Sequence, residues 1–315
     1  MGIYRNALPQ LHDSVFVTDG GLETDLCFNR GIELPEFAAY DLLRDQKGRD
    51  TLLDYYQDYL DLATRYRVGL VMETPTWRAN RDWGDKLGDS VSDLAALNAA
   101  AVELLEELRA RLPQGSQPMV ISGCIGPRGD GYTPGKLMSV AEAQDYHGAQ
   151  IGTFAASNAD MAAALTMNYV EEAIGIVLAS REHDIPVCIS FTLETDGRLP
   201  GGSSLEQAIG EVDAATDGSA AYYMINCAHP THFDHLFENG GAWLERVRGL
   251  RGNASCMSHA ELDNSEILDD GDPRQFGLEL HDLRRLAPLV SILGGCCGTD
   301  HRHIEHVCAG VSHAA

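Results

Sequence analysis

Long apolar runs and clusters of basic residues are both scarce in this sequence. No run approaches the ~20 consecutive apolar residues that a membrane-spanning helix requires, so we expect no membrane partner. The 23 Lys and Arg residues are outnumbered by 47 Asp and Glu residues, which gives a formal net charge of −24. Nucleic acid is therefore not an expected partner, because its phosphates require clustered Lys and Arg side chains. A cationic small molecule would be tolerated, although the simplest explanation of the charge is a solvated acidic surface.

Targeting and linker segments are also missing. Residues 1–14 contain no basic patch followed by an apolar stretch, which is the pattern of a secretory signal. The eight cysteines are therefore expected to be free or metal-bound thiols in a reducing cytoplasm. Because linkers, low-complexity tracts and internal repeats are absent, we expect one cytoplasmic domain over residues 1–315, as a monomer or homodimer.

Short apolar or β-branched runs alternate with longer amphipathic or Ala-rich segments. The predicted strands are residues 15–18, 70–73, 119–122, 161–166, 187–192, 222–226, 250–253 and 290–293. The predicted helices are residues 51–67, 91–111, 139–157, 170–183, 204–216, 232–247 and 272–287. Repeated strand–helix alternation predicts a parallel sheet covered by helices, and eight units predict a single closed (β/α)8 TIM barrel of the α/β class. Residues 22–50 lack a clean 3.6-residue period, so the first unit is the least regular.

Chemically capable residues follow several predicted strands, where a barrel builds its active site. Cys227 ends the sixth strand, and Cys296 and Cys297 follow the eighth strand among glycines. Because these strand ends meet at one rim, the three thiols predict a Cys₃ site for Zn²⁺ with an open fourth position, as in catalytic zinc sites. Soft sulfur ligands favour zinc over magnesium or calcium. The alternatives for the vicinal pair are buried structural thiols or a strained vicinal disulfide.

The other thiols and the histidines receive less specific interpretations. The remaining cysteines are expected in the core or on the surface: Cys27, Cys124, Cys188, Cys256 and Cys308. Two histidine groups follow the sixth and eighth strands: His229, His232 and His235, and then His301, His303 and His306. A histidine metal site and a supporting polar role both stay open for these groups, with the supporting role favoured. The polar loop of residues 254–261 has no assigned role beyond lining a donor site.

Six motifs, in order along most of the chain, resemble those of the homocysteine S-methyltransferase family, the zinc-dependent barrel methyltransferases. They are Asp-Gly-Gly at residues 19–21, Glu-Thr at 73–74, Ile-Gly-Pro at 125–127, Ser-Phe-Thr at 190–192, Ile-Asn-Cys at 225–227 and Gly-Gly-Cys-Cys-Gly-Thr at 294–299. The last motif is the most specific of the six, whereas an Asp-Gly-Gly turn alone would be weak evidence.

The resemblance implies an EC 2.1.1 methyltransferase that moves a methyl group from an onium donor to the zinc-bound thiolate of homocysteine, giving methionine. It implies that Cys227, Cys296 and Cys297 hold the metal and are catalytic through it. The substrate-binding residues that it implies are Asp19, Gly20, Gly21, Glu73, Thr74, Thr166, Ser190 and Asn226. S-methylmethionine and S-adenosylmethionine are the favoured donors, because one compact barrel leaves no room for folate or cobalamin modules. Betaine or another onium compound stays open.

Two positions depart from the family's pattern. Leu165 stands before Thr166 at the fourth strand end, where the family usually places a Glu that holds the amino group of homocysteine. Glu23 stands where the family commonly has a small residue. Three explanations stay open: the amino-group contact has moved to Glu73, Glu23 or Glu194, the acceptor is another thiol, or the chain is a noncatalytic zinc- or thiol-binding homologue.

The expected chemistry also suggests what should hold the donor. A free thiol with a pKa near ~8.5 becomes a strong nucleophile once a metal deprotonates it. A sulfonium or quaternary ammonium group can give it a methyl group and leave as a neutral molecule, and aromatic faces often hold such cations. The aromatic candidates near the rim are Trp77, Trp83, Tyr132 and Tyr223, for which ordinary packing is the alternative. Asp19, Asn226 and Asn253 also have an alternative role, as turn or strand-end formers.

Overall fold

Eight parallel strands close into a barrel in the computed structural model, which describes residues 1–12, 14–265 and 267–312. The strands are β1 (Phe16–Val17), β2 (Gly69–Glu73), β3 (Met119–Ile125), β4 (Met161–Met167), β5 (Val187–Phe191), β6 (Tyr222–Asn226), β7 (Val247–Gly252) and β8 (Ile292–Gly295). Each strand pairs with the next one in sequence. Strand β1 also pairs with β8, so that Phe16 lies opposite both Gly69 and Ile292. The prediction of a (β/α)8 barrel is confirmed.

Helices cover the barrel and carry the chain from the carboxyl end of one strand to the amino end of the next. They are α1 (Leu22–Thr24), α2 (Gln46–Tyr66), α3 (Arg81–Leu87), α4 (Val91–Ala110), α5 (Val140–Ala156), α6 (Val170–Glu182), α7 (Leu205–Thr216), α8 (Asp234–Asn239), α9 (His259–Asp263), α10 (Pro273–Leu286) and α11 (His301–Ser312). Short 3₁₀ segments lie at Pro9–Leu11, Pro35–Phe37, Ala39–Arg44, Pro230–His232 and Ala242–Arg246, and a π-helical turn lies at Asp25–Asn29. Among the helices described, none has the length and apolar character needed to cross a membrane.

Local sequence explains where several helices begin. Ser90, Ser139 and Ser258 each form a capping box, in which the serine side chain accepts a hydrogen bond from the backbone N–H three residues later. Asp45 caps α2 in the same way, and Asp272 caps α10 immediately before Pro273. These side chains satisfy backbone donors that a helix would otherwise leave unpaired.

One predicted helix is wrong. Residues 232–247 were expected to be continuous, but the chain forms the 3₁₀ segment Pro230–His232, then α8, then the 3₁₀ segment Ala242–Arg246. Gly240 and Gly241 separate the last two segments with φ angles of +69° and +138°, which a helix cannot contain. The boundaries of β7 and β8 also differ from the prediction by one to three residues, and α1, α3, α9 and α11 were not among the predicted helices.

The two ends of the barrel are different. The amino-terminal segment covers one end, where the Gln10 amide donates to Met161 Sδ at 3.1 Å and Ser291 Oγ donates to the Gln10 carbonyl at 2.6 Å. Apolar side chains such as Val120 and Met224 fill the interior above it. The carboxyl ends of the strands therefore surround the open end, where the predicted site residues lie.

Candidate metal centre and substrate cavity

Three thiols converge at the carboxyl end of the barrel. Cys227 follows β6, and Cys296 and Cys297 follow β8. Their Sγ atoms all lie within 4.8 Å of one another, and those of Cys227 and Cys297 are 3.5 Å apart. A tetrahedral zinc ion with Zn–S bonds of about 2.3 Å places its sulfur ligands roughly 3.8 Å apart. The spacing therefore fits one metal ion with a fourth position left for a substrate. Within the described ranges, no other group of three or more His, Cys, Asp or Glu side chains is arranged to hold a metal ion.

The backbone directs these thiols toward each other. Cys227 has a left-handed φ of +56°, which is uncommon for a residue with a side chain. Its N–H donates to the Arg251 carbonyl oxygen at 3.2 Å, which fixes the turn after β6 against β7. On the other side, a Cβ atom at Gly21 would lie 2.5 Å from the Cys296 carbonyl oxygen. A glycine at position 21 thus allows the turn after β1 to pack directly against the vicinal cysteines.

Asn226 links the thiols to the neighbouring strands. Its Nδ2 donates to Cys296 Sγ at 3.7 Å and to Thr166 Oγ1 at 2.9 Å. Its Oδ1 accepts hydrogen bonds from the Thr166 N–H at 2.8 Å and from Ser190 Oγ at 2.6 Å. Thr166 has a left-handed φ of +62°, which turns its N–H toward this amide. Ser190 and Thr166 therefore orient Asn226, and Asn226 in turn orients a sulfur atom.

A buried arginine occupies the wall beside the thiols. Arg251, near the end of β7, is 5% exposed and donates to Glu73 Oε2 at 2.8 Å and to Asp19 Oδ1 at 2.7 Å. It also donates to the Gly295 carbonyl at 3.0 Å. Tyr55 Oη donates to the second oxygen of Asp19 at 3.1 Å, so both oxygens of that carboxylate are engaged within the protein. Glu73 Oε1 is buried and has no hydrogen-bond partner in the described residues.

The two carboxylates share one cation, and this sharing affects their protonation. The pKa of Glu73 is raised to about 7, mainly by burial; Arg251 opposes this effect and the Asp19 charge adds to it. Burial also raises the pKa of Asp19, against the influence of Arg251 and Tyr55. Near neutral pH the network therefore binds part of one proton.

Glu23 adds a third acidic side chain to the cavity wall. It lies two residues after the Asp-Gly-Gly turn, and desolvation raises its pKa to about 7. No cationic side chain of the described chain lies within 4.0 Å of this carboxylate, unlike those of Asp19 and Glu73. The inner part of the cavity is thus rich in groups that attract a positive charge.

The thiols open into a cavity of about 360 Å³. This volume lies in the range of small-molecule sites. Seven of the eight predicted substrate-binding residues line it: Asp19, Gly20, Gly21, Glu73, Thr74, Thr166 and Asn226. Ser190 instead lies fully buried behind Asn226. The outer wall is apolar and includes Phe28, Phe37 and Ile267. Substrate contact by these residues stays a prediction.

One tyrosine lies directly over the thiols. Tyr132 Oη is 3.4 Å from Cys297 Sγ and 3.6 Å from Cys227 Sγ. Its ring stacks on His259 with a centroid separation of 4.0 Å. His259 Nε2 donates to the Cys227 carbonyl at 2.7 Å. The loop of residues 254–261, to which sequence assigned no definite role, therefore supports both the tyrosine and a thiol-bearing turn.

The other aromatic and histidine candidates are distributed differently. Trp77 lines the cavity, whereas Trp83 packs behind it against Arg78. The prediction that Tyr223 lies at the rim is wrong. Its ring stacks on Phe191 and its hydroxyl donates to Asp213 of α7, on the helix side of the sheet. Of the histidines after β6 and β8, His232 bonds to the Cys256 carbonyl and His303 to Asp300. None of the six is among the described residues that line the cavity, and their role stays a prediction.

Sequence reasoning missed Arg251 and Arg78, which both line the cavity. A usable signal existed for Arg251, since it is a charged residue inside a predicted buried strand, where an unpaired charge would be costly. Arg78 follows β2 by five positions and had no such signal. Of the alternatives for the family's missing Glu, Glu23 and Glu73 line the cavity with Leu165, while Glu194 bonds His259 instead.

Comparisons with known proteins show the family and the fold. The profile of the family described as homocysteine S-methyltransferase matches residues 16–311. The homocysteine methyltransferase MmuM from Escherichia coli has a similar structure: its metallated form has 20% sequence identity and a TM-score of 0.72, covering 97% of this chain and 99% of that chain. Its oxidized form has 19% identity and a TM-score of 0.74, covering 96% and 98%. At this identity the structural likeness establishes the fold. No curated protein sequence matches the chain significantly.

Proposed function

The chain belongs to the homocysteine S-methyltransferase family, and we propose that it transfers a methyl group from a cationic onium donor to homocysteine, giving methionine. Family membership makes it a methyltransferase that acts on a thiol. The donor, the metal and the product are the finer parts of the proposal. We propose Zn²⁺ as the metal, with Cys227, Cys296 and Cys297 as its ligands.

The thiol cluster is the observation that carries this proposal. Three sulfur atoms at a spacing that suits tetrahedral zinc lie at the base of a cavity, and a fourth ligand position faces that cavity. When bound, zinc would supply the acidity that deprotonates the acceptor thiol and would hold the sulfur in place. Hydrogen bonds from Cys227 and Cys297 lower the pKa of Cys296, and the charge of Arg251 lowers it further against the effect of burial. One of the three thiols is therefore favoured as a thiolate, while the pKa values of Cys227 and Cys297 are raised.

The residues of the chain suit transfer from a cation. The acceptor sulfur forms a bond to the methyl carbon, and the bond from that carbon to the donor's sulfur or nitrogen breaks. The bonding pair stays with the departing atom, which becomes neutral. Glu23, Asp19 and Glu73 line the cavity in which this happens, and their charges favour an onium donor over a neutral one. S-methylmethionine and S-adenosylmethionine are the preferred donors in this proposal.

The amino group of homocysteine requires a carboxylate other than the family's usual one. Leu165 offers no charge, and both oxygens of Asp19 are engaged by Arg251 and Tyr55. Glu23 lines the cavity and has no cationic partner within 4.0 Å in the described chain. We therefore assign it the contact with the ammonium group, with Glu73 Oε1 as a second acceptor.

The test is methyl transfer by reduced, zinc-loaded protein. Homocysteine would be incubated with methyl-deuterated S-methylmethionine, S-adenosylmethionine, betaine or dimethylsulfoniopropionate, and labelled methionine would be measured by mass spectrometry. Cys297→Ser should lose both stoichiometric zinc and turnover. Cys256→Ser is the matched control, because Cys256 is exposed and lies outside the cluster. A Cys297→Ser variant that stays active without metal would contradict the proposal.

A second candidate keeps the reaction but changes the acceptor. Leu165 and the engaged Asp19 favour a thiol without an amino group. Competition between homocysteine and 4-mercaptobutanoate, which differ only in the amino group, separates the two candidates. A clear preference for homocysteine removes this second candidate, and a preference for 4-mercaptobutanoate replaces the first.

A further inference from the structure

Arg78 is a cation on the cavity wall that forms no ion pair with the described residues. The chain has an excess of acidic over basic residues, yet no carboxylate oxygen of the described residues forms an ion pair with Arg78 within 4.0 Å. One of its Nη atoms donates to the Glu36 carbonyl oxygen. Its Nε is buried with no hydrogen-bond partner in the described chain. A guanidinium carries five N–H groups, so most of its donor capacity is unused.

Aromatic rings hold this guanidinium in place. Its central carbon lies 3.8 Å from the ring centroid of Trp83, 5.2 Å from that of Trp77 and 5.8 Å from that of Phe37. Such stacking fixes the plane of an arginine while leaving its edge free to form hydrogen bonds. A stacked guanidinium is therefore already oriented before a planar anion binds to it in bidentate fashion.

The position of Arg78 differs from that of Arg251. The charge of Arg251 acts on Asp19, Glu73 and Cys296, which are at the inner end of the cavity. Arg78 is only partly buried and donates to the carbonyl of the exposed Glu36, so it lies nearer the mouth of the cavity. Burial lowers the pKa of Arg78, against the charges of Asp130, Glu23 and Glu36. The cavity is thus acidic next to the thiols and carries an unpaired positive charge farther out. A ligand of matching charge has a cationic group near the thiols and an anionic group at a distance.

We propose that Arg78 binds the carboxylate of the methyl donor, so that the site selects zwitterionic onium compounds over simple onium cations. This inference rests on the proposed methyl transfer and adds a determinant of donor specificity to it. The acceptor carboxylate is the competing partner for Arg78, and its loss would weaken transfer from every donor equally. Stacking of Arg78 on the aromatic rings for packing alone is the competing explanation.

The test compares two donors that differ only in the carboxylate: S-methylmethionine and its primary amide. The wild-type enzyme should favour the acid by about 10- to 100-fold in kcat/KM, as expected for charge-assisted hydrogen bonds. Arg78→Gln should remove this preference, because it should lower kcat/KM for the acid and leave kcat/KM for the amide unchanged. Arg78→Lys should keep part of it, because lysine retains the charge but loses the planar fork.

Lys86→Gln is the matched control. Lys86 Nζ lies 3.7 Å from the centroid of the same Trp83 ring, but Lys86 is outside the cavity lining. Its removal should leave the preference for the acid unchanged. The inference is overturned if Arg78→Gln lowers kcat/KM equally for both donors, or lowers it for neither.

A binding measurement separates this inference from the proposed function. Trp77 and Trp83 contact Arg78, so quenching of tryptophan fluorescence reports binding of S-methylmethionine or its amide without turnover. Absence of transfer by the zinc-loaded wild-type enzyme from every donor would contradict the proposed function. Tighter binding of the acid, lost in Arg78→Gln, would still support the role of Arg78. Equal binding of the two compounds by the wild-type enzyme would refute it.

Discussion

Replacing Arg251 by Gln should destabilise the protein in a way that depends on pH. Arg251 is buried and is the cation that Asp19 and Glu73 share. Glutamine keeps some hydrogen-bonding capacity but removes the charge, leaving two buried carboxyl groups without a counter-ion. Removing one partner of a buried ion pair costs about 3–5 kcal/mol, because the remaining charge is uncompensated.

The remaining carboxyl groups can reduce this cost by binding protons. Keeping a carboxyl group with an unfolded-state pKa of ~3.9 protonated costs about 1.36 kcal/mol for each pH unit above that value, so about 3 kcal/mol at pH 6 and about 5.6 kcal/mol at pH 8. At pH 8 the loss is therefore limited to the cost of leaving the charge uncompensated, about 5 kcal/mol. The sign follows from the raised folded-state pKa of Asp19 and Glu73. The folded state holds the proton more tightly than the unfolded state, so stability is greatest below the unfolded pKa and falls as pH rises toward the folded pKa.

Thermal unfolding of reduced, zinc-loaded protein at pH 6 and pH 8 provides the measurement. At about 2.1 cal/mol/K per residue, a loss of 5 kcal/mol lowers the Tm of a chain of this length by about 8 °C, and a loss of 3 kcal/mol lowers it by about 5 °C. Arg65→Gln is the control, because Arg65 is 61% exposed in its ion pair with Glu305 and should contribute less than ~1 kcal/mol. The reasoning would be refuted if Arg251→Gln lowered the Tm as little as the control does, or lowered it equally at both pH values.

Two further substitutions test the parts of the site that act on metal and acceptor. Asn226→Ala removes the amide that bonds Cys296 Sγ, Thr166 and Ser190, so we expect zinc affinity to fall about 10- to 100-fold. Competition with a chromogenic chelator measures the zinc affinity, and an unchanged affinity would contradict this prediction. Glu23→Gln should raise KM for homocysteine about tenfold, through loss of a charged contact, and leave KM for 4-mercaptobutanoate unchanged. An equal change in KM for both thiols would contradict the assignment of the ammonium contact to Glu23.

The fold could be predicted because its signals are local. Strand β6 was predicted with its observed bounds, Tyr222–Asn226, since the short apolar run there ends at Asn226 and Pro230 follows four residues later. The predicted helix of residues 139–157 also matches α5 to within one residue at each end, and the capping box of Ser139 and Glu142 explains where it starts. The predicted helix of residues 232–247 failed for a local reason too. Its apolar spacing was helical, but two adjacent glycines adopted positive φ angles and ended the helix.

The thiol cluster was predictable for a different reason. Cys227 and Cys296 are far apart in sequence, but each follows a strand, and all strands of a parallel barrel end at the same rim. Topology alone therefore brings them together. The role of Ser190 could not be read in this way, because its position on a strand does not show that Asn226 lies between it and the cavity.

The charges of the wall depend on pairings that neither local pattern nor topology specifies. Asp19 and Arg251 are 232 positions apart, and whether they meet depends on side-chain direction at two strand ends. Without Arg251, the change to Leu165 suggests only that one acidic contact has been lost. With Arg251 in place, Leu165 stands in a wall that lacks the carboxylate expected at its position. Arg251 also partly neutralises the two carboxylates of that wall with which it pairs, Asp19 and Glu73. The wall would then repel the electron-rich thiolate site less than three free carboxylates would. Glu23, which also lines the cavity, is the side chain to which we assign the distinction between an amino-acid acceptor and a simple thiol.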